Sequence, residues 1–326
     1  MCEGTRGRIK PVWPPHAVSC VSRCYGARMR GPASLLFCLA LSAVASSASA
    51  ALPDGPPPTL ASAWTLSAWT LLPLTLAICA YAVGLCRARA QPGLVRTAEP
   101  REVARLAGGL AVLALALVWP LEAFGMYALS AHVAQHMMLL AWAPPLLLAG
   151  RPLPVLAAAL PRAWTGPIQA ASRRALPLAR ALAPATAVHG GTMLMWHLPG
   201  ATSAALADTA LHRVMSASFL VAGLWFWTAL WHRRRTDAGA VGGLVALVTV
   251  MMLMGFLGAL LTFSPRLLYP VYSDRSLLIG LDPLRDQQLA GLLMWVPTGI
   301  PYVAAGLALV VVLLRRARDR AAPVGH

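Results

Sequence analysis

The chain is punctuated by long apolar runs, near residues 66–86, 103–119, 131–148, 181–198, 212–231, 241–263 and 288–314. Each approaches the roughly 20 residues that an α-helix needs to cross the hydrocarbon core of a bilayer. Inside lipid every backbone N–H and C=O must find a partner within the protein, so only helices and closed barrels span it. The runs show no strand-like alternation of apolar and polar residues, so a barrel is not supported. The predicted fold is therefore all-α: a polytopic membrane protein, a bundle of seven transmembrane helices over residues 66–314. Composition agrees, since 58% of residues are apolar and 12% charged, where a soluble domain carries about a quarter charged.

A net charge of +16 would suggest nucleic acid in a soluble protein, but its distribution does not. Lys10 is the sole lysine, and the arginines gather between the apolar runs. Arg87, Arg89, Arg96, Arg101 and Arg105 follow the first run. Arg151, Arg162, Arg173, Arg174 and Arg180 follow the third, Arg233–Arg235 the fifth, and Arg315, Arg316, Arg318 and Arg320 the seventh. The intervening loops hold fewer basic residues and carry Glu122, Asp208, Asp274 and Asp282. Basic loops stay cytoplasmic, so the expected topology is N-out, C-in, with residues 315–326 as a basic cytoplasmic tail. No nucleic-acid partner is expected from this pattern. The segment 164–180 reads as an interfacial helix, with arginines reaching lipid phosphates.

From Met29 a short basic start, an apolar stretch and small residues at Ala48 and Ala50 make residues 29–50 a secretory signal peptide. Residues 1–28 then read as an over-extended start, and the Pro-rich stretch within 51–65 as a periplasmic linker. Loss of the leader would leave Cys79 and Cys86, both on one helix, with no CxxC for redox or zinc chemistry.

Ionisable groups within spans are costly and are functional candidates by default. Topology and helix pitch put His132 and His136 at the outer end of the third span, one turn apart on one face. The same argument puts His197, His212 and Asp286 at that level on spans four, five and seven, with His189 about two turns deeper. Met137, Met138, Met193, Met195 and Met294 are close in sequence. Imidazole suits copper and thioether favours Cu(I), and an i, i+4 histidine pair can present two nitrogens to one ion. Asp286 would ligate directly or orient a histidine through its second nitrogen. The candidate metal set is His132, His136, His197, His212, Asp286, Met137 and Met193. Against it stand ordinary readings: interfacial histidines as hydrogen-bonded belt residues, and methionines as packing. The tryptophans near span ends form an aromatic belt, and Pro144-Pro145 and Pro297 are expected to kink their helices.

At these residues the chain resembles the CtaG family of caa3-type cytochrome c oxidase assembly factors. The matching stretches are HVAQHMMLLAWAPPLLLAGRP (132–152), MWHLP (195–199), LHRVMSASFLVAGLWFW (211–227), LYPVY (268–272) and GLDPLRDQQLAGLLMW (280–295). The resemblance implies a bacterial plasma-membrane protein that helps build a haem–copper oxidase by delivering copper, taken from a periplasmic donor, to an oxidase subunit. The family-like positions are His132, His136, His197, His212 and Asp286. Family members often carry a second histidine one turn after the span-five histidine. Here that position is Ser216, so the ligand set is smaller or completed by Met215.

Two other classes stay open. A bis-histidine haem between spans three and four or five would make a haem-handling or electron-transfer protein. A proton or solute transporter would use buried His and Asp as a relay, but would need polar residues through the full thickness. Hydrolytic catalysis finds no GxSxG, HExxH or P-loop, and no enzyme is expected.

Overall fold

The computed structural model describes residues 56–90 and 98–321. The expected leader, the segment before it and the first part of the linker lie outside the described residues. Regular structure among the described residues is helical. In chain order it runs α1 (Ala68–Ala90), α2 (Pro100–Leu117), α3 (Leu121–Gly125), α4 (Leu129–Met137), a π-helical turn (Met138–Trp142) and α5 (Ala143–Ala149). Then come α6 (Pro152–Ala159), α7 (Arg162–Ala179), α8 (Leu182–Trp196), α9 (Pro199–Ala207), α10 (Thr209–Arg233) and α11 (Asp237–Phe263). A 3-10 turn (Pro270–Tyr272), α12 (Ser273–Leu278) and α13 (Pro283–Ala321) complete it.

Among the described residues five helical stretches are long and apolar enough to cross a membrane: α1, α2 with α3, α10, α11 and α13. A sixth, Leu129–Ala149 with α6, is bent by 68°. The protein is thus a multi-pass membrane protein. The fourth predicted span is shorter than the sequence reading had it. Its helix, α8, has 15 residues, or about 22 Å, against a bilayer core of roughly 30 Å. Pro199 sets that limit, because the residue before a proline is driven out of the helical region, and Leu198 is extended at φ −70°, ψ 129°. The seventh span is longer than predicted, and α13 carries the start of the basic tail as helix to Ala321.

The bundle core forms around α4, the π turn, α8, α10 and α13, where Val133, Leu140, Met193, Phe219, Phe226 and Met294 are fully buried. The π turn lies where the sequence predicts a kink. Pro144 and Pro145 offer no N–H to the carbonyls of Leu140 and Ala141, one turn back. The Leu140 carbonyl instead accepts the Trp227 indole N–H at 3.2 Å. On α10, Gly223 permits this approach, since a Cβ there would lie 2.7 Å from the Leu140 oxygen and 2.8 Å from the Pro144 ring. α13 runs through Pro297 and Pro301 as one helix. The Leu293 carbonyl that Pro297 leaves free accepts the Thr298 hydroxyl at 2.8 Å.

The arginines collect at one end of the bundle. Arg316 donates to Asp237 at 3.0 Å and to the Arg234 and Arg235 carbonyls at 2.9 and 3.1 Å. Arg320 also donates to Asp237, and Arg233 reaches the Arg180 carbonyl at 3.3 Å. α7 forms where an interfacial helix was predicted, with both Trp164 and Ile168 exposed. α1 buries only Tyr81, Gly84 and Ala88, all in its second half, and holds Cys79 and Cys86 as exposed free thiols.

Candidate functional site

Opposite the arginines, α4, α8 and α10 bring four of the predicted histidines together. His132 and His136 lie one turn apart on α4, and their rings meet edge to face with centroids 4.2 Å apart. His212, in the first turn of α10, adds its ring 5.8 Å from His132. His197, at the C-terminal end of α8, stands 6.4 Å from His136. The rings therefore form a row in the order 212, 132, 136, 197. Phe219 of α10 stacks on His136 at 4.3 Å and closes its flank.

All four imidazoles are buried. His197 Nδ1 pairs with the Met193 carbonyl oxygen at 2.7 Å, which leaves Nε2 facing away from its own helix. Among the described residues no well-aligned hydrogen-bond partner is present for His197 Nε2, His136 Nε2, or either ring nitrogen of His132 and His212, although backbone at Gly125 lies close to the His132 ring. A buried polar atom left unsatisfied costs about 1–3 kcal/mol, so such atoms side by side on adjoining rings mark a place where further donors or acceptors belong. Among the described residues, no group of three or more His, Cys, Asp or Glu side chains is arranged to hold a metal ion as it stands.

Asp286 takes a different place from the one predicted. Its carboxylate accepts the Leu129 N–H at 2.7 Å, the Ser130 N–H at 3.2 Å and hydroxyl at 2.5 Å, and the Ser276 hydroxyl at 3.3 Å. Both oxygens are engaged at the N-terminus of α4, where free amides and the helix dipole favour an anion. Asp286 thus neither joins the histidine row nor orients a ring; it ties α13 to the helix that carries His132 and His136. Met137 and Met193 are buried in the main core, the latter one turn before His197. Met215 and Met294 are equally buried, while Met195 is exposed. His189 lies apart, its Nε2 2.8 Å from the Tyr302 hydroxyl and its ring against Phe226.

The carboxylate that reaches the row is one assigned only to a loop. Glu122 of α3 has Oε1 3.2 Å from His212 Nε2, but out of line for a hydrogen bond. Its other oxygen accepts the side-chain amide of buried Gln135 on α4. α3 lies this close because Gly125 has no side chain; a Cβ there would lie 3.3 Å from the His132 Cα. An acidic residue just before an intramembrane histidine pair was the available signal, and its assignment to a loop concealed it. Ser216, the departure from the family pattern, is buried with its hydroxyl unpartnered.

The segment between α11 and α13 covers the row at this end. Tyr272 lies 6.1 Å from His132, and its hydroxyl donates to the Gly125 carbonyl at 2.9 Å. Tyr269 donates to the His197 carbonyl at 2.5 Å. Burial pushes both phenols above the usual tyrosine range, so they stay protonated and keep donating. Arg275 donates to the Met126 carbonyl at 2.9 Å and Ser276 to that of Tyr127 at 3.1 Å.

Comparison with known proteins bears on what this arrangement is. No curated protein and no solved structure gives a significant match. One family profile, described as cytochrome c oxidase caa3 assembly factor (Caa3_CtaG), matches residues 79–316. That match takes in the helices carrying the four histidines, Glu122 and Asp286. The chain belongs to the caa3-type cytochrome c oxidase assembly factor family.

Proposed function

We propose that this protein carries copper during assembly of a haem–copper oxidase, holding Cu(I) in the histidine row and releasing it to an oxidase subunit. The observation that carries this reading is the row itself: four buried imidazoles from three helices with unpartnered nitrogens. Imidazole is a good copper ligand, and Cu(I) accepts as few as two donors. A small rotation of His132 and His136 would converge two nitrogens, and His212 or His197 would complete a third position. A carrier benefits from a site that is not fully formed beforehand, because the cargo has to leave again. Glu122 would balance the ion's charge beside His212.

A haem between two axial histidines fits less well. The rings facing one another from different helices, His132 and His212, meet edge to face at 5.8 Å, and Phe219 stacks on His136 beside them. A transporter relay would continue into the bundle, but His189 is engaged with Tyr302. We further propose that α8 completes a seventh crossing and that the arginine end is cytoplasmic in a bacterial plasma membrane. The histidine row then sits at the periplasmic level.

The test is metal content after anaerobic loading with Cu(I) and removal of loose ion. Purified wild-type protein is expected to retain about one copper per chain, and the His132→Ala/His136→Ala variant less than a tenth of that. Equal copper in the two proteins removes the assignment, and a Soret band in the wild type would transfer it to haem.

A further inference from the structure

The histidine row is sealed at the end where a soluble donor would approach. Tyr269, Tyr272, Arg275 and Ser276 hydrogen-bond the covering segment to the backbone at Gly125–Tyr127 and to His197. Among the described residues, two large cavities are found whose walls include none of His132, His136 and His197. His212 does line one, together with Glu122 and Ser216.

That cavity has a volume of about 1320 Å³ and is not enclosed. It runs between α1, α2 and α10, from His212 and Glu122 toward Arg151 and His232. Arg213, Tyr81 and the hydroxyls of Thr70, Ser216 and Thr228 also line it, and the rest of its wall is apolar, so it is a largely apolar space at membrane level that meets the row at a carboxylate–imidazole pair. Ionisable groups facing such a space are expensive and point to function.

The outer wall, α1, buries only Tyr81, Gly84 and Ala88 among its described residues, with Tyr81 packed against Leu106 and Val155. On the histidine side the residues before it are held by Trp64 stacked on Trp119, with centroids 5.5 Å apart. Thr65 N–H also reaches the Val118 carbonyl at 2.8 Å, and Trp119 Nε1 the Leu60 carbonyl at 2.8 Å. On the arginine side Gly84 packs on the Val155 backbone, and Arg87 donates to the Ala159 carbonyl at 2.9 Å. Between these anchors Leu72 and Leu76 are exposed.

We propose that the histidine row is reached sideways, from the bilayer through this cavity, with Glu122 and His212 as the point of exchange. The inference rests on the copper reading for its cargo, but the route follows from the cavity and the sealed end. A bare cation does not cross a largely apolar lining, so the ion is handed over while bound. The matching partner is a membrane-embedded protein that brings a metal-ligating side chain into the cavity. Glu122 offsets the charge as the ion passes from His212 to that ligand.

Two measurements on the full chain in liposomes test the route. In the first, diethyl pyrocarbonate labelling of His212 is read by mass spectrometry. Ala217 and Leu220 of α10 line the cavity beyond His212. Ala217→Trp and, as a second plug, Leu220→Trp are each expected to cut His212 labelling at least fivefold. Gly191→Trp, which fills open space in the separate cavity between α8 and α11, is expected to leave it unchanged. Undiminished labelling in both plugged proteins overturns the route, whatever metal is bound.

In the second, copper-loaded protein is challenged with neocuproine, which partitions into bilayers, or bathocuproine disulfonate, which does not. Neocuproine is expected to withdraw copper at least tenfold faster, and Ala217→Trp to slow it by a similar factor. Equal rates for the two chelators overturn the route. Wild-type protein that holds no copper, yet shows His212 protected by the plugs, overturns the copper reading while the route stands.

Discussion

At the scale of single residues, position in the sequence located the histidines well but could not say which neighbouring carboxylate serves them. Glu122 and Asp286 both lie near one level of the bundle. Asp286, expected beside the histidines, closes the N-terminus of α4, while Glu122, assigned only to a loop, faces His212. Helix pitch gives depth along an axis but not the lateral direction of a side chain on a neighbouring helix. The roles are separable by stability. Asp286→Ala strips the Leu129 and Ser130 amides of their acceptor in a buried place, a loss of about 2–3 kcal/mol. Unfolding of the purified metal-free protein should show that loss, and Asp286→Asn should recover part of it. A metal-free Asp286→Ala protein as stable as wild type would return Asp286 to the candidate ligands.

At the scale of elements, the π turn deserves its place beside the histidines. His136 sits in the last turn of α4, immediately before the chain widens at Met138–Trp142. Two consecutive prolines predicted a disturbance there, and the sequence could carry the reading no further. Whether a freed carbonyl bends a helix, widens it or finds a side chain depends on what packs opposite. Here Trp227 and the bare backbone at Gly223 decide it. Pro297 has the opposite outcome because Thr298 lies next to it to fill the gap. Gly223→Val should drive a side chain into the Leu140 carbonyl and Pro144, costing roughly 1–3 kcal/mol. Gly242→Val, on an open face of α11 with nothing within 4 Å, should stay within about 0.5 kcal/mol of wild type. Denaturant titration of the two variants side by side checks the pair; equal stability would mean that α10 and the π turn do not pack as described.

At the scale of the whole molecule, the arginine clusters meet at one end and the histidine row lies at the other. The proposed cytoplasmic placement of the basic end predicts that a green fluorescent protein fused after His326 fluoresces and that alkaline phosphatase at the same place stays inactive. The reverse result would invert the orientation. The sequence by itself determined that the chain is helical and membrane-spanning, because a bilayer demands long apolar segments with internally satisfied backbones. It also determined which histidines share a depth, because helix rise is constant. Only the tertiary structure decided that α8 stops short, that Glu122 replaces Asp286 at the row, and that the covering segment closes one approach while a cavity opens another. Those outcomes depend on lateral packing between helices distant in sequence, on close contacts such as Gly125 against His132. Hydrophobic period and charge pattern carry no information about them.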